Sequence, residues 1–233
     1  MRFEDLNWMD VEGYLELENR VILVIGACEQ HGYLSLLTDV KIPLALADLA
    51  SQRSGVLVAP PLNFGVSPYF AAYPGTISLR LATFLSVLED VVRSLYHQGF
   101  RRILILNGHG GNIAARAHLQ EMLNEINDLK IIWYDWWLSR RIEVIAQKHA
   151  LRPAHANWLE AFPFTRVSPE RLPAETKVPP QVPSFLLGAQ QTRLTYEDGS
   201  FGGPYQVSEE IMHEILNAVL DEVLHLLKDG FDA

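Results

Sequence analysis

The sequence predicts an α/β protein built around a mostly parallel sheet, and three observations carry that expectation. Short, continuously apolar runs alternate with amphipathic segments along the 233 residues. Those runs end in glycine-rich or acidic turns, the places where open α/β sheets put their ligands. With 48% hydrophobic and 20% charged residues, the chain can bury one core, as a single domain over 1–233.

The elements follow in order. Val21, Ile22, Leu23, Val24 and Ile25 are continuously apolar and stop at Gly26, as a strand buried on both faces should. A helix is expected over 43–53, and a second strand over 55–59, stopped by Pro60 and Pro61. Phe84, Leu88, Val91 and Leu95 recur at helical spacing, and Gly99 offers a left-handed stop. Residues 103–106 form a third strand that runs into a glycine-rich loop, followed by a helix over about 113–126. Residues 130–134 form a fourth, with Asp135, Trp136 and Trp137 at its far end. Prolines 169, 173, 179, 180 and 183 break regular structure between Ser168 and Ser184, giving an extended surface connection. In the last helix Ser208 suits the N-cap, Glu209 and Glu210 suit the first turn, and Ile211, Ile215, Val219 and Val223 make one stripe.

Charge and cysteine content narrow the function. A formal charge of -9 with no Lys/Arg-rich block argues against a nucleic-acid partner and for a small-molecule ligand. The single cysteine, Cys28, allows no internal disulfide. The first residues lack a basic segment and long apolar stretch, and no apolar run is long enough to span a bilayer, so a cytoplasmic location is expected.

The chemistry sits at the predicted strand ends. Glu29 and His31 are two apart just past the first strand, a spacing that turns both side chains toward one cavity. Asp39 returns after the loop 32–38, and a carboxylate with two oxygens can bridge two cations. His109 stands in Asn107-Gly108-His109-Gly110-Gly111-Asn112 at the end of another strand. Imidazole and carboxylates from separate strand ends leave coordination positions open for water, the mark of a catalytic metal site. The glycines permit close backbone approach, and the next helix N-terminus is expected to offer N–H groups to an oxyanion. Taken singly each piece has an ordinary reading: Asp39 as an N-cap for a helix near Pro43, or His109 as a residue of a glycine turn. No Gly-x-Ser-x-Gly elbow and no His-Glu-x-x-His helix is present.

Other conspicuous residues are expected to be structural. Trp133, Tyr134, Trp136 and Trp137 read as core or subunit-contact residues more readily than as a stacking pocket. Cys28 reads as a small buried hydrophobe. His97, His118, His149, His213 and His225 fall on predicted helices without ligand-like neighbours.

Five stretches, in order, carry a resemblance: 26–32 with Thr38-Asp39; Gly65-Val66-Ser67 followed by 73–80; 107–112; His155-Ala156 with Glu160; and Gly202-Gly203-Pro204. With these the chain resembles the creatininase family of metal-dependent amidohydrolases. The resemblance implies a three-layer α/β/α fold, a homo-oligomer, often a hexamer, and one or two divalent ions, zinc first and manganese or iron next. It implies that Glu29, Asp39 and His109 hold one ion and that His31, Asp39 and Glu160 hold the other. It also implies that His155 or a carboxylate such as Glu160 moves the proton to a leaving nitrogen of a non-peptide or cyclic amide. The stretches 33–37 and 157–161 depart from the family's usual pattern, which implies a substrate unlike that of better-known members. Two further readings stand beside this one: a non-catalytic oligomeric ligand-binding or scaffold protein, and a metallopeptidase that trims a modified peptide in cofactor maturation.

Overall fold

The computed structural model describes residues 1–232. Its core is a parallel sheet of β1 (Arg20–Ile25), β2 (Leu57–Val58), β3 (Arg102–Asn107) and β4 (Lys130–Asp135), in the order β2-β1-β3-β4. Around it lie α1 (Trp8–Leu15), α2 (Thr38–Ser54), α3 (Leu81–Gln98), α4 (Ala115–Leu123), α5 (Arg140–Lys148), α6 (Ala189–Tyr196) and α7 (Glu209–Asp229).

Strand alternation decides the layers. Ile22, Val24, Leu104 and Leu106 face one side and meet α2, α5 and α7 through Leu46, Ala47, Ile142, Ile215 and Val219. Val21, Leu23, Ile25, Ile103 and Ile105 face the other and meet α3 and α4 through Phe84, Leu88, Val92 and Leu119. The result is the three-layer α/β/α arrangement. Because β1 and β3 are covered on both faces, their runs are apolar without alternation, as read from the sequence.

Several boundaries differ from expectation. Helix α2 starts at Thr38 and not at Pro43; Pro43 lies inside it, in the second turn, where it cannot donate to the Asp39 carbonyl four residues earlier. The predicted strand 55–59 pairs only over Leu57–Val58, and the predicted helix 113–126 is regular only over Ala115–Leu123. Gly99 does close α3 in the left-handed region at φ 118°. On α7, Ile215, Val219 and Val223 are fully buried, whereas Ile211 is half-buried and the Ser208 side chain makes no capping bond. Among the described residues no helix is long and apolar enough to cross a membrane.

One feature of register positions the site. Ile25 pairs with Asn107, and Asn107 with Asp135, so the carboxyl ends of the three longest strands finish level. All the candidate ligands lie beyond that edge.

Candidate metal centre

Two glycines seat the helix that carries Asp39. A Cβ on Gly26, at the end of β1, would stand 2.4 Å from the Asp39 carbonyl oxygen, and one on Gly108, after β3, would stand 1.8 Å from it. Only glycine lets both strand ends close on the first turn of α2, and Asp39 is thereby held between them. Its position within that turn also places its charge at the favourable end of the helix dipole.

The loop with His109 is held by a buried amide network. Asn107 accepts from the His109 N–H (3.1 Å) and donates to the His109 carbonyl (2.9 Å) and to Asp135 Oδ1 (2.7 Å). Asn112 donates to the Gly26 carbonyl at 3.1 Å and accepts from the Val66 N–H at 3.2 Å. The cavity is lined by Gly108, His109, Gly110 and Gly111, the last two opening a short 3-10 turn, and not by α4, whose first residue is Ala115.

The five predicted ligands converge. Asp39 Oδ1 lies 2.9 Å from His31 Nε2, and Asp39 Oδ2 lies 2.8 Å from His109 Nδ1. Glu29 Oε2 is 3.6 Å from His109 Nε2, and Glu160 Oε1 is 3.8 Å from His31 Nε2. Asp39 therefore faces both histidines, one through each oxygen. Glu29, Asp39 and His109 form one set, and His31, Asp39 and Glu160 another, with ligand atoms within 4.8 Å of one another.

The histidine rings are oriented from behind. His31 Nδ1 donates to the Glu29 carbonyl at 3.1 Å, leaving Nε2 for the cavity. His109 Nε2 donates to the Val66 carbonyl at 2.9 Å, with Ser67 Oγ at 3.1 Å, leaving Nδ1 beside Asp39. His31 Nε2 and Asp39 Oδ2 are buried and have no properly directed hydrogen bond. Imidazole nitrogens and carboxylate oxygens that converge in a buried cluster without well-directed hydrogen bonds are what a cation would satisfy, so the donor set fits divalent metal.

Electrostatics agree. Burial would push the His31 pKa down, but Asp39 and Glu160 reverse this and carry it up to about 10. His109 is likewise opposed by burial and raised by Glu29 and Asp39 to about 9. Burial raises Glu29, and raises Glu160 to about 7; burial also opposes ionisation of Asp39, but the two histidines override it and hold Asp39 well below the usual carboxylate range. In the metal-free protein, protons on the His31 and His109 imidazoles thus offset part of the negative charge of the buried carboxylates.

His155 faces the same cavity, its Nδ1 3.8 Å from Glu29 Oε1, and burial followed by the neighbouring His31 pushes its pKa well down. Ala156 beside it sits at φ 54°, and its N–H donates to Glu160 Oε2 at 2.6 Å. The cavity above holds about 460 Å³, and its walls include Val66, Tyr69, Phe70, Trp137, Leu138 and Phe201. Trp137 thus lines the pocket, while Trp136 is core, Trp133 donates to Asp135, and Tyr134 donates to Glu222. Cys28 is half-exposed and donates to the Gly75 carbonyl at 3.3 Å, which corrects its reading as a buried hydrophobe. His118 and His149 pair with Glu89 and Glu214 away from the site. Sequence reasoning gave no role to Ser67, Gln30, Phe70 and Phe201. The first two stand in stretches already singled out, but Phe201 is brought in by the fold alone.

Comparison with known proteins gives one answer. The family described as creatininase, creatinine amidohydrolase, matches residues 4–227. A creatinine amidohydrolase of Pseudomonas putida is 30% identical over 146 residues, 57% of this chain and 56% of that protein. A mycofactocin precursor peptide peptidase of Mycolicibacterium smegmatis is 36% identical over 104 residues, 42% of each chain. The matched stretches thus span about half the length of these curated relatives. A solved manganese creatininase superposes with a TM-score of 0.85 at 23% identity, covering 100% of this chain and 99% of that one. A mutant creatininase of zinc–zinc type superposes with a TM-score of 0.84 at 23% identity, covering 100% and 98%. At that identity the superpositions speak for the fold, while the match over residues 4–227 speaks for descent: the chain belongs to the creatininase family.

Proposed function

We propose that this protein is a metal-dependent amidohydrolase that cleaves a carbon–nitrogen bond in a small, uncharged, non-peptide or cyclic amide. The observation that carries the reading is Asp39 set between His31 and His109, with Glu29 and Glu160 completing the two ligand sets at the floor of an apolar-walled cavity. Zinc fits this mixed nitrogen and oxygen set first, with manganese or iron as alternatives. Divalent ions held there would supply a water of lowered pKa and a Lewis-acid contact for the amide carbonyl.

The chain's own residues do the rest. Glu29, Asp39 and His109 would hold one ion and His31, Asp39 and Glu160 the other. His155, beside Glu29 and His31, meets the reacting group, and Glu160 serves both as ligand and as the carboxylate nearest to proton traffic. Phe70, Trp137, Leu138 and Phe201 limit bulk water and face the rest of the substrate. Among the described residues no Lys or Arg lines the cavity, so apart from the ions themselves a free peptide carboxylate would find no cationic side chain there. That favours a small amide over the peptide terminus suggested by the peptidase relatives. We also propose a homo-oligomer, such as a hexamer, because Trp8, Leu17, Leu186 and Leu194 stand 70%, 90%, 99% and 80% exposed.

The test is turnover of creatinine-like lactams, cyclic ureides, formamides and short peptides by zinc- or manganese-loaded protein and by chelator-treated protein. The expected result is hydrolysis of a lactam or ureide that disappears with the metal. Full activity without metal would overturn the proposal. Turnover of peptides alone would support peptide trimming, and bound metal with no turnover would support the scaffold reading.

A further inference from the structure

Gln30 lies between the two ligands Glu29 and His31, is 5% exposed, and belongs to neither ligand set. Its side-chain amide is clamped by backbone on both ends. Oε1 accepts from the Gly32 N–H at 3.0 Å, and Nε2 donates to the Gly199 carbonyl at 3.2 Å. Exchanging the two ends would set N–H against N–H and oxygen against oxygen, so only one orientation of the amide satisfies its neighbours. The Gln30 main-chain N–H is held as well, donating to Thr76 Oγ1 at 3.0 Å. Gly199, at φ 91°, gives the amide its room: a Cβ there would stand 1.8 Å from Gln30 Oε1.

The other contact of Gln30 Nε2 is with His155 Nε2, 2.8 Å away, and its second hydrogen is the one available for it. An amide N–H can only donate, so His155 Nε2 must be the lone-pair nitrogen and the ring proton of neutral His155 must sit on Nδ1. The ring has little freedom to evade this. It stacks on Phe70 with centroids 4.6 Å apart and planes at 16°, and Phe201 and the His31 ring lie 5.0 Å and 4.5 Å away. Nδ1 is the nitrogen that faces the cavity, 3.8 Å from Glu29 Oε1.

We propose that Gln30 is a positioning residue that fixes His155 as the Nδ1–H tautomer, so that His155 meets the substrate as a hydrogen-bond donor and not as a metal ligand or a base. Glu29, His31 and His155 also approach one another closely enough to suggest a third ligand set, but a nitrogen bearing a proton cannot ligate. It also cannot take a proton from water. What it can do is donate to the oxygen on which charge develops, and it keeps its own proton throughout. This sharpens the role of His155, expected from the sequence to move a proton. The inference rests on the hydrolase reading only for the identity of the cavity; the tautomer itself is measured without turnover.

The experiment is two-bond 1H–15N correlation spectroscopy on protein with 15N-labelled histidine, metal-free and zinc-loaded, with His155→Gln assigning the signal. The wild-type protein should show His155 as Nδ1–H in both states, with no metal-induced shift at Nδ1. Gln30→Glu, which replaces the donor by an acceptor, should move the proton to Nε2 while zinc stoichiometry stays within about 20% of wild type by elemental analysis. A merely structural Gln30 would change melting temperature without inverting the tautomer. An Nε2–H signal in wild type, a zinc-bound Nδ1 shift, or an unchanged tautomer in Gln30→Glu would overturn the proposal. Should Gln30→Glu fail to fold, the wild-type spectra decide alone. Loss of hydrolase activity in every assay would leave this result unaffected.

Discussion

Metal binding to this site should release more protons than ordinary ligands would, and the count follows from the cluster. With pKa values raised to about 10 and about 9, His31 and His109 are protonated in the metal-free protein at pH 6.5, and each must lose its proton to ligate. Glu160, raised to about 7, is mostly protonated there and adds most of a third. Filling both ligand sets at pH 6.5 should therefore release about three protons, against about one for the same side chains with unperturbed pKa values. Apparent affinity, summed over the two ions, should accordingly climb by about two decades per pH unit near pH 8, above the Glu160 value and below those of the two histidines. Titration calorimetry with manganese in buffers of different ionisation heat gives the proton count directly. A release of one proton or fewer at pH 6.5 would refute the view that buried imidazolium groups stand in for the cations.

Other expectations follow from the same geometry. Metal-free protein should melt at falling temperature from pH 7 to 10, by at least ~5 °C, whereas metal-loaded protein should change little in a thermal scan. The sign comes from His31 and His109: a raised folded pKa gives stability that is complete below the unfolded value and is lost as pH passes about 9 to 10. Asp39→Asn should abolish high-affinity metal at both sets, since both use it, while His109→Ala should spare the set of His31, Asp39 and Glu160; elemental analysis separates them. Gly108→Ala puts a Cβ 1.8 Å from the Asp39 carbonyl oxygen, so metal content should collapse and unfolding in urea should show a loss of about 2 kcal/mol or more. Asn107→Ala removes four buried hydrogen bonds around His109 and should cost about 3 kcal/mol by the same assay.

The sheet was legible because β1 and β3 are covered on both faces, and a strand in that position needs unbroken apolar residues. Edge strand β2 was overextended because its flanking residues are apolar for a different reason: Val56 and Ala59 are buried in the two cores without sustaining the ladder. The start of α2 was missed because its N-cap, Leu37, has no capping side chain and Pro43 imitates a helix start. What seats the first turn is instead the two glycines on other elements. The ligands Glu29, His31, Asp39 and His109 were legible as residue types at strand ends, and Glu160 only through the family resemblance. The roles of Gln30 and Phe201 were not legible, since a side-chain amide pinned by Gly32 and Gly199, 167 positions apart, leaves no local signature.

The central claim is a dinuclear centre that shares Asp39. Anomalous difference density from crystals grown without chelator and soaked in manganese tests it most directly. The account predicts two peaks, one among Glu29, Asp39 and His109 and one among His31, Asp39 and Glu160, with His155 bound to neither. A cavity without a peak, or an ion ligated by His155 Nδ1, would contradict it.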